Sequence, residues 1–142
     1  MEKLRNIMIF LSSITLVLTT ILMAYLIYLT FYPIEIVKLN SLKVLTTEVK
    51  RGEPFTYQMD FDKYIDYRAK IKYFFVDGVI LRLEESGIHK EEGLNQVAMS
   101  SRITPLAINP GEYRFRIELE YKILPWRTIE YVWESNKFTV VE

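Results

Sequence analysis

The run from Ile7 to Tyr32 contains no charged residue. As a helix it measures roughly 39 Å, more than the ~30 Å hydrocarbon thickness of a bilayer. It is expected to be a transmembrane helix, residues 7–32, behind a short cytoplasmic tail, residues 1–6. The apolar run exceeds the core of a secretory signal and no Ala-x-Ala-like cleavage site follows it, so an uncleaved signal anchor is expected. Tyr25, Tyr28, Phe31 and Tyr32 gather at its C-terminal end, where amphipathic rings favour the headgroup level. Pro33 then ends the helix. Lys3 and Arg5 lie close on one side, while Lys38 and Lys43 stand farther off on the other. That asymmetry favours a single pass through the cytoplasmic (inner) membrane, N-terminus inside and the remainder outside. Thr15 with Thr19, and Thr20 with Ala24, form small-xxx-small pairs. Weak homo-oligomerisation through them competes with a reading in which the hydroxyls bond back to their own helix.

The remainder divides into a connector, residues 33–42, and one domain, residues 43–142, of ordinary single-core size. Of the 18 basic and 18 acidic side chains, only Lys3, Arg5 and Glu2 precede Pro33. The domain is therefore nearly neutral, which argues against nucleic acid as a partner. There is no Cys, which excludes disulfides, thiol chemistry and thiolate metal sites.

Past the connector the hydrophobic period falls to two. Val44 to Val49 reads as a strand, followed by a turn at Arg51-Gly52-Glu53-Pro54. Phe55, Tyr57, Met59 and Phe61 alternate with polar residues in a second strand. Asp62 to Arg68 reads as a loop, and Ala69 to Val76 as a strand with Ile71, Tyr73 and Phe75 on one face. Asp77-Gly78 is a type I′ hairpin signal, from which Val79 to Leu83 returns. Glu84 to Gly93 reads as a charged loop, and Leu94 to Ile103 as a strand with Val97 and Met99 facing inward. Tyr113, Phe115, Ile117, Leu119 and Tyr121 give the cleanest alternation. After a turn at Lys122 to Arg127, Thr128 to Val141 supplies the last strand, with a bulge or break expected at Ser135-Asn136. The expected fold is all-β: a seven-stranded immunoglobulin-like Greek-key β-sandwich preceded by one N-terminal transmembrane helix. Tyr113 follows the tight turn at Pro110-Gly111 and opens the sixth strand, the place of a tyrosine corner. An ordinary core tyrosine is the alternative there.

Phe75-Val76-Asp77-Gly78, Pro110-Gly111-x-Tyr113 and Arg127-Thr128-Ile129, in this order behind an N-terminal anchor, resemble a family of small membrane-anchored proteins from bacteriophage and metagenomic genomes. The resemblance covers nearly the whole chain and implies the topology and a viral origin, without an activity. Members of that family often carry a Cys near the positions of Asp62 and Leu94. This chain has neither, so a disulfide there is absent.

Chemistry-bearing patterns are sparse. His89, the single histidine, sits in a charged segment near Ser86 and Glu91 without a register that would make a triad. Asp60, Asp62 and Asp66 offer hard oxygen ligands, but the EF-hand glycine and closing glutamate are missing, and Lys63 and Arg68 stand among them. Glu84-Glu85 and Glu91-Glu92 read as solubilising charge rather than paired catalytic carboxylates. No catalytic, metal-binding or cofactor-binding residue is expected, and no cofactor.

The expected function is a non-enzymatic, membrane-anchored interaction or scaffold domain on the outer side of the membrane, its partners the lipid bilayer and a further protein. The alternative is a structural subunit of a larger membrane or virion assembly. Counting strands places Asp62–Arg68, Glu84–Gly93 and Lys122–Arg127 at the end of the domain nearer the membrane. The rings and cations there, Tyr64, Tyr67, Trp126 and Arg127, make a candidate membrane-interface contact.

Overall fold

The computed structural model describes residues 1–77, 79–88 and 91–142; within 79–88, the side chain described is that of Leu83. The chain forms two compact units, Met1–Ile34 and Glu35–Glu142.

The first unit is one helix, α1 (Glu2–Phe31), long and apolar enough to cross a membrane and with none of its residues buried. It takes in the expected tail, because Glu2 favours the positive end of the helix dipole and Lys3, Leu4 and Arg5 are good helix formers. It stops at Tyr32, whose extended backbone is what a residue before proline adopts. Ser13, Thr15, Thr19, Thr20 and Thr30 each donate a hydroxyl hydrogen bond to the carbonyl four residues earlier, at 2.8 to 2.9 Å. The helix itself thus satisfies these polar groups.

The second unit is two sheets. One holds β1 (Val37–Val44), β3 (Pro54–Lys63) and β6 (Gly93–Ile103) in the order β1-β3-β6. The other holds β2 (Glu48–Lys50), β8 (Arg127–Val141), β7 (Gly111–Leu124), β4 (Ala69–Asp77) and β5 (Val79–Ile88) in the order β2-β8-β7-β4-β5. All pairings are antiparallel except β2 with β8. The inner faces carry the expected alternations: Phe55, Tyr57 and Phe61 on β3, Ile71, Tyr73 and Phe75 on β4, and Tyr113 to Tyr121 on β7 are buried. Phe55 of one sheet meets Phe75, Phe115 and Phe138 of the other at 5.2, 5.1 and 6.0 Å between ring centres. The outer face of the larger sheet carries charge pairs across strands, including Arg116 with Glu134 at 2.6 Å and Lys72 with Glu120 at 3.0 Å.

Several expectations need correction. The connector is shorter than residues 33–42, because β1 already pairs with β3 from Val37. The sequence hid this strand: a register shift between Leu39 and Ser41 inserts Asn40, so inward positions move from odd (Val37) to even (Leu42, Val44). The expected strand Val44–Val49 accordingly straddles the end of β1 and most of β2, and the strands number eight among the described residues. The Glu84–Gly93 loop is also shorter, since β5 continues to Ile88 and pairs with β4 up to Ala69. An edge strand tolerates charge because one side of it faces solvent. The Asp77-Gly78 hairpin turn and His89 lie outside the described residues, save that Asp77 and Val79 are paired.

Val97 and Met99 point outward, 62% and 63% exposed. Register with β3 decides this. Ala98 and Ser100 stand opposite Met59 and Tyr57, and Arg102 opposite Phe55. Arg102 lies 3.4 Å from the centre of the Tyr73 ring, and the Tyr57 hydroxyl bonds to Ser100 and Arg102. Bulky neighbours leave room for small residues, and tyrosine hydroxyls supply partners for polar ones.

The break at Ser135-Asn136 is a register shift in the β7–β8 ladder, opposite the step from Arg114 to Arg116. Ser135 Oγ accepts from Phe115 N–H at 3.0 Å. Asn136 reaches the other sheet: its Oδ1 accepts from Val44 N–H at 2.8 Å and its Nδ2 donates to Val44 O at 3.3 Å. Asn136→Ala is expected to cost about 1–3 kcal/mol, the range for leaving a part-buried backbone donor without its acceptor. Urea unfolding of the Glu35–Glu142 unit checks this, and a loss below 0.5 kcal/mol would assign the bulge no tie between sheets.

Candidate functional site

Strand direction sorts the connections of the second unit onto two ends. The near end is where Ile36 leads into β1. There Ile36 N–H donates to the Tyr131 hydroxyl at 3.0 Å and Tyr64 N–H to Ile36 O at 2.9 Å. Residues 64–68, 91–92 and 125–126 lie between strands at this end, and Asp66 N–H donates to Glu92 Oε1 at 3.0 Å. The far end holds the turn at Gly52 and residues 104–110. Gly52 adopts φ +77° and a Cβ there would come within 2.7 Å of Leu106, so the turn requires glycine. Tyr113 donates its hydroxyl to Asn109 O at 2.8 Å, which ties the start of β7 to the connection before it.

Of the four residues expected at a membrane interface, Trp126 and Tyr64 are exposed, and Tyr67 and Arg127 half-buried; all four belong to near-end connections or their margins. The aspartates do not come together as ligands. Asp60 accepts hydrogen bonds from Ser41 and Gln58, and Asp62 from Asn40 and from the N–H of Asn95. Hydrogen bonding, led by Gln58 for Asp60 and by Asn95 for Asp62, holds both carboxyls below the usual range. No group of three metal-ligating side chains occurs among the described residues. Glu91 and Glu92 are exposed.

Sequence reasoning missed a cavity between the sheets. It encloses about 420 Å³ and is partly open, within the size range of small-molecule sites. Met59, Phe61, Ile71, Leu119 and Trp133 supply apolar walls, and the small side chains of Ala98 and Ser100 leave the space unfilled. A sealed apolar void of this volume would cost about 10 kcal/mol at ~24 cal/mol per Å³, comparable to the stability of a whole domain. The wall also contains one ammonium group. Lys63 is 4% exposed and pairs with Asp66 at 3.3 Å. Its position continues the inward series 55, 57, 59 and 61, and that spacing was the available signal. Among loop aspartates, Lys63 instead reads as a solvated neutraliser.

Tyrosines mark the cavity in the titration behaviour. Burial raises the Tyr57 phenol, and burial together with Tyr131 pushes Tyr121 up to about 12. The folded state therefore holds the Tyr121 proton more tightly than the unfolded chain, whose phenol titrates near 10. This contribution is complete below pH 10 and is lost as pH rises through 10 towards 12. Tyr121→Phe is expected to flatten the fall in stability across that window, measured by urea unfolding at stepped pH; an unchanged slope would dissociate Tyr121 from it.

No family model and no curated protein matches the chain. Among solved structures, it is similar to a Niemann-Pick type C2 protein from Japanese carpenter ant, with a TM-score of 0.51 and 11% identity, over 78% of this chain and 96% of that one. The likeness is one of fold: a mostly β chain of two packed sheets, here with an apolar helix added at the N-terminus.

Proposed function

We propose that the chain is a single-pass membrane protein, non-enzymatic, whose β domain is an interaction or scaffold module on the outer side of the cytoplasmic membrane. The strand order and the five crossings between sheets support an immunoglobulin-like Greek key, with β3, β4, β7 and β8 in the roles of strands B, C, F and G. The resemblance to phage-encoded membrane proteins suits the same reading and a viral origin. The observation that carries it is the near end, where exposed Trp126 and Tyr64 share one end with Ile36, the residue that leads the chain in from the helix. A linker from Tyr32 to Ile36 reaches at most about 14 Å. With α1 in a bilayer, the linker keeps Ile36 within that reach of the end of the helix. Aromatic rings favour headgroup depth and cations meet anionic lipid there.

Two measurements test this. Protease added to intact spheroplasts is expected to digest Glu35–Glu142 and leave the helix embedded. Full protection, with the protease shown to be active, would place the domain in the cytosol. In reconstituted protein carrying Trp133→Phe, brominated phospholipids are expected to quench Trp126. Absence of quenching in folded protein would separate Trp126 from the membrane.

A further inference from the structure

We infer that the cavity between the sheets is a binding site for a single-chain amphiphile with an anionic head, its apolar tail among Met59, Phe61, Ile71, Leu119 and Trp133 and its carboxylate on the Lys63 ammonium. The inference goes beyond the anchored interaction domain and is independent of its orientation. Three features carry it.

The first is size. At about 30 Å³ per water-sized group, the cavity accommodates on the order of fourteen heavy atoms. That is the bulk of one medium-length alkyl chain with its head.

The second is construction. Where β6 borders the cavity, the residues facing Met59 and Tyr57 of β3 are the small Ala98 and Ser100, while the larger apolar Val97 and Met99, which also border it, are 62% and 63% exposed. A core built for density alone would place the large residues inside.

The third is charge. Lys63 is almost wholly buried and lies in the cavity wall at the end of β3, and a buried cation requires an anion beside it. The carboxylate it pairs with, Asp66, is on the near-end connection with a side chain 47% exposed. When Asp66 turns outward into water, a ligand carboxylate takes its place at Nζ. One carboxylate replaces another at the same ammonium, so the buried charge stays neutralised throughout. The tail meanwhile occupies volume that the protein leaves unfilled. A neutral alcohol of the same length gains the second benefit without the first.

Trp133 makes this measurable, because it is buried and lines the cavity. The full chain carrying Trp126→Phe, in detergent micelles at about pH 8 where a carboxylic acid is ionised, is titrated with ω-bromo-undecanoic acid and separately with ω-bromo-undecanol. Heavy-atom quenching of Trp133 reports entry into the cavity. The acid is expected to half-quench at a concentration about tenfold below the alcohol, one charge-assisted contact's difference. Lys63→Met should erase that preference and Lys63→Arg should keep it. Asp66→Asn, a change on an exposed side chain, should lower the acid concentration required and leave the alcohol unaffected. A purely structural ion pair would not produce that gain. Quenching by neither compound would overturn the site altogether. Equal quenching by both, or an acid preference that survives Lys63→Met in folded protein, would overturn the assignment of the head to Lys63.

Discussion

The packing of Phe55 against Phe115, Phe75 and Phe138 is the interaction on which the β domain depends. These rings come from β3 on one sheet and from β7, β4 and β8 on the other. They close the far half of the interior with offset and edge contacts of the kind aromatic pairs favour. Because this half is dense, the near half need not be. There aromatic side chains such as Phe61 and Trp133 stand among aliphatic and small ones, a lysine lies in the wall, and a cavity of about 420 Å³ remains. Stability and available volume are thus separated along the strands, as in proteins that place binding function on a rigid support.

The two bulges set the phase of this arrangement. Asn40 shifts the inward positions of β1, and Ser135-Asn136 shifts those of β8. Without the second shift, Phe138 and Val140 would turn to solvent, since one residue of slip exchanges the faces of a strand. The bulge also frees Asn136 to bond both backbone groups of Val44. A single irregularity therefore keeps β8 in the core and holds the edge of the opposite sheet to it.

Strand β6 is where local pattern and tertiary environment disagree, and such places are expected at functional sites. Its outer face exposes Val97, Met99 and Ile103, while Gln96, Ala98 and Arg102 are half-buried on the inner side. Gln96 donates to the carbonyls of Glu91 and Gly93, the Tyr57 hydroxyl bonds to Ser100 and Arg102, and Arg102 lies over the Tyr73 ring. What the inversion yields is space beside an ammonium group.

By itself the sequence determined the elements whose signal is local. An uncharged run as long as Ile7–Tyr32 can only be a long apolar helix, and Pro33 marks its end. Strict alternation on β3, β4 and β7 identified the inner faces correctly, because a strand presents every second side chain to the same side. The run of turn residues and the break at Ser135-Asn136 were legible for the same reason. Tertiary structure decided what depends on partners distant in the chain. Whether Val97 or Ala98 faces inward is set by the register of β6 on β3. Whether Leu42 belongs to a connector or a strand is set by pairing with Met59. Whether Glu84 and Glu85 sit in a loop or an edge strand is set by the ladder to β4. The burial of Lys63 was half visible, as the next member of an alternating series, yet its meaning required the cavity. That volume belongs to no single strand: it is the difference between two facing surfaces, and it exists only once both sheets are in place.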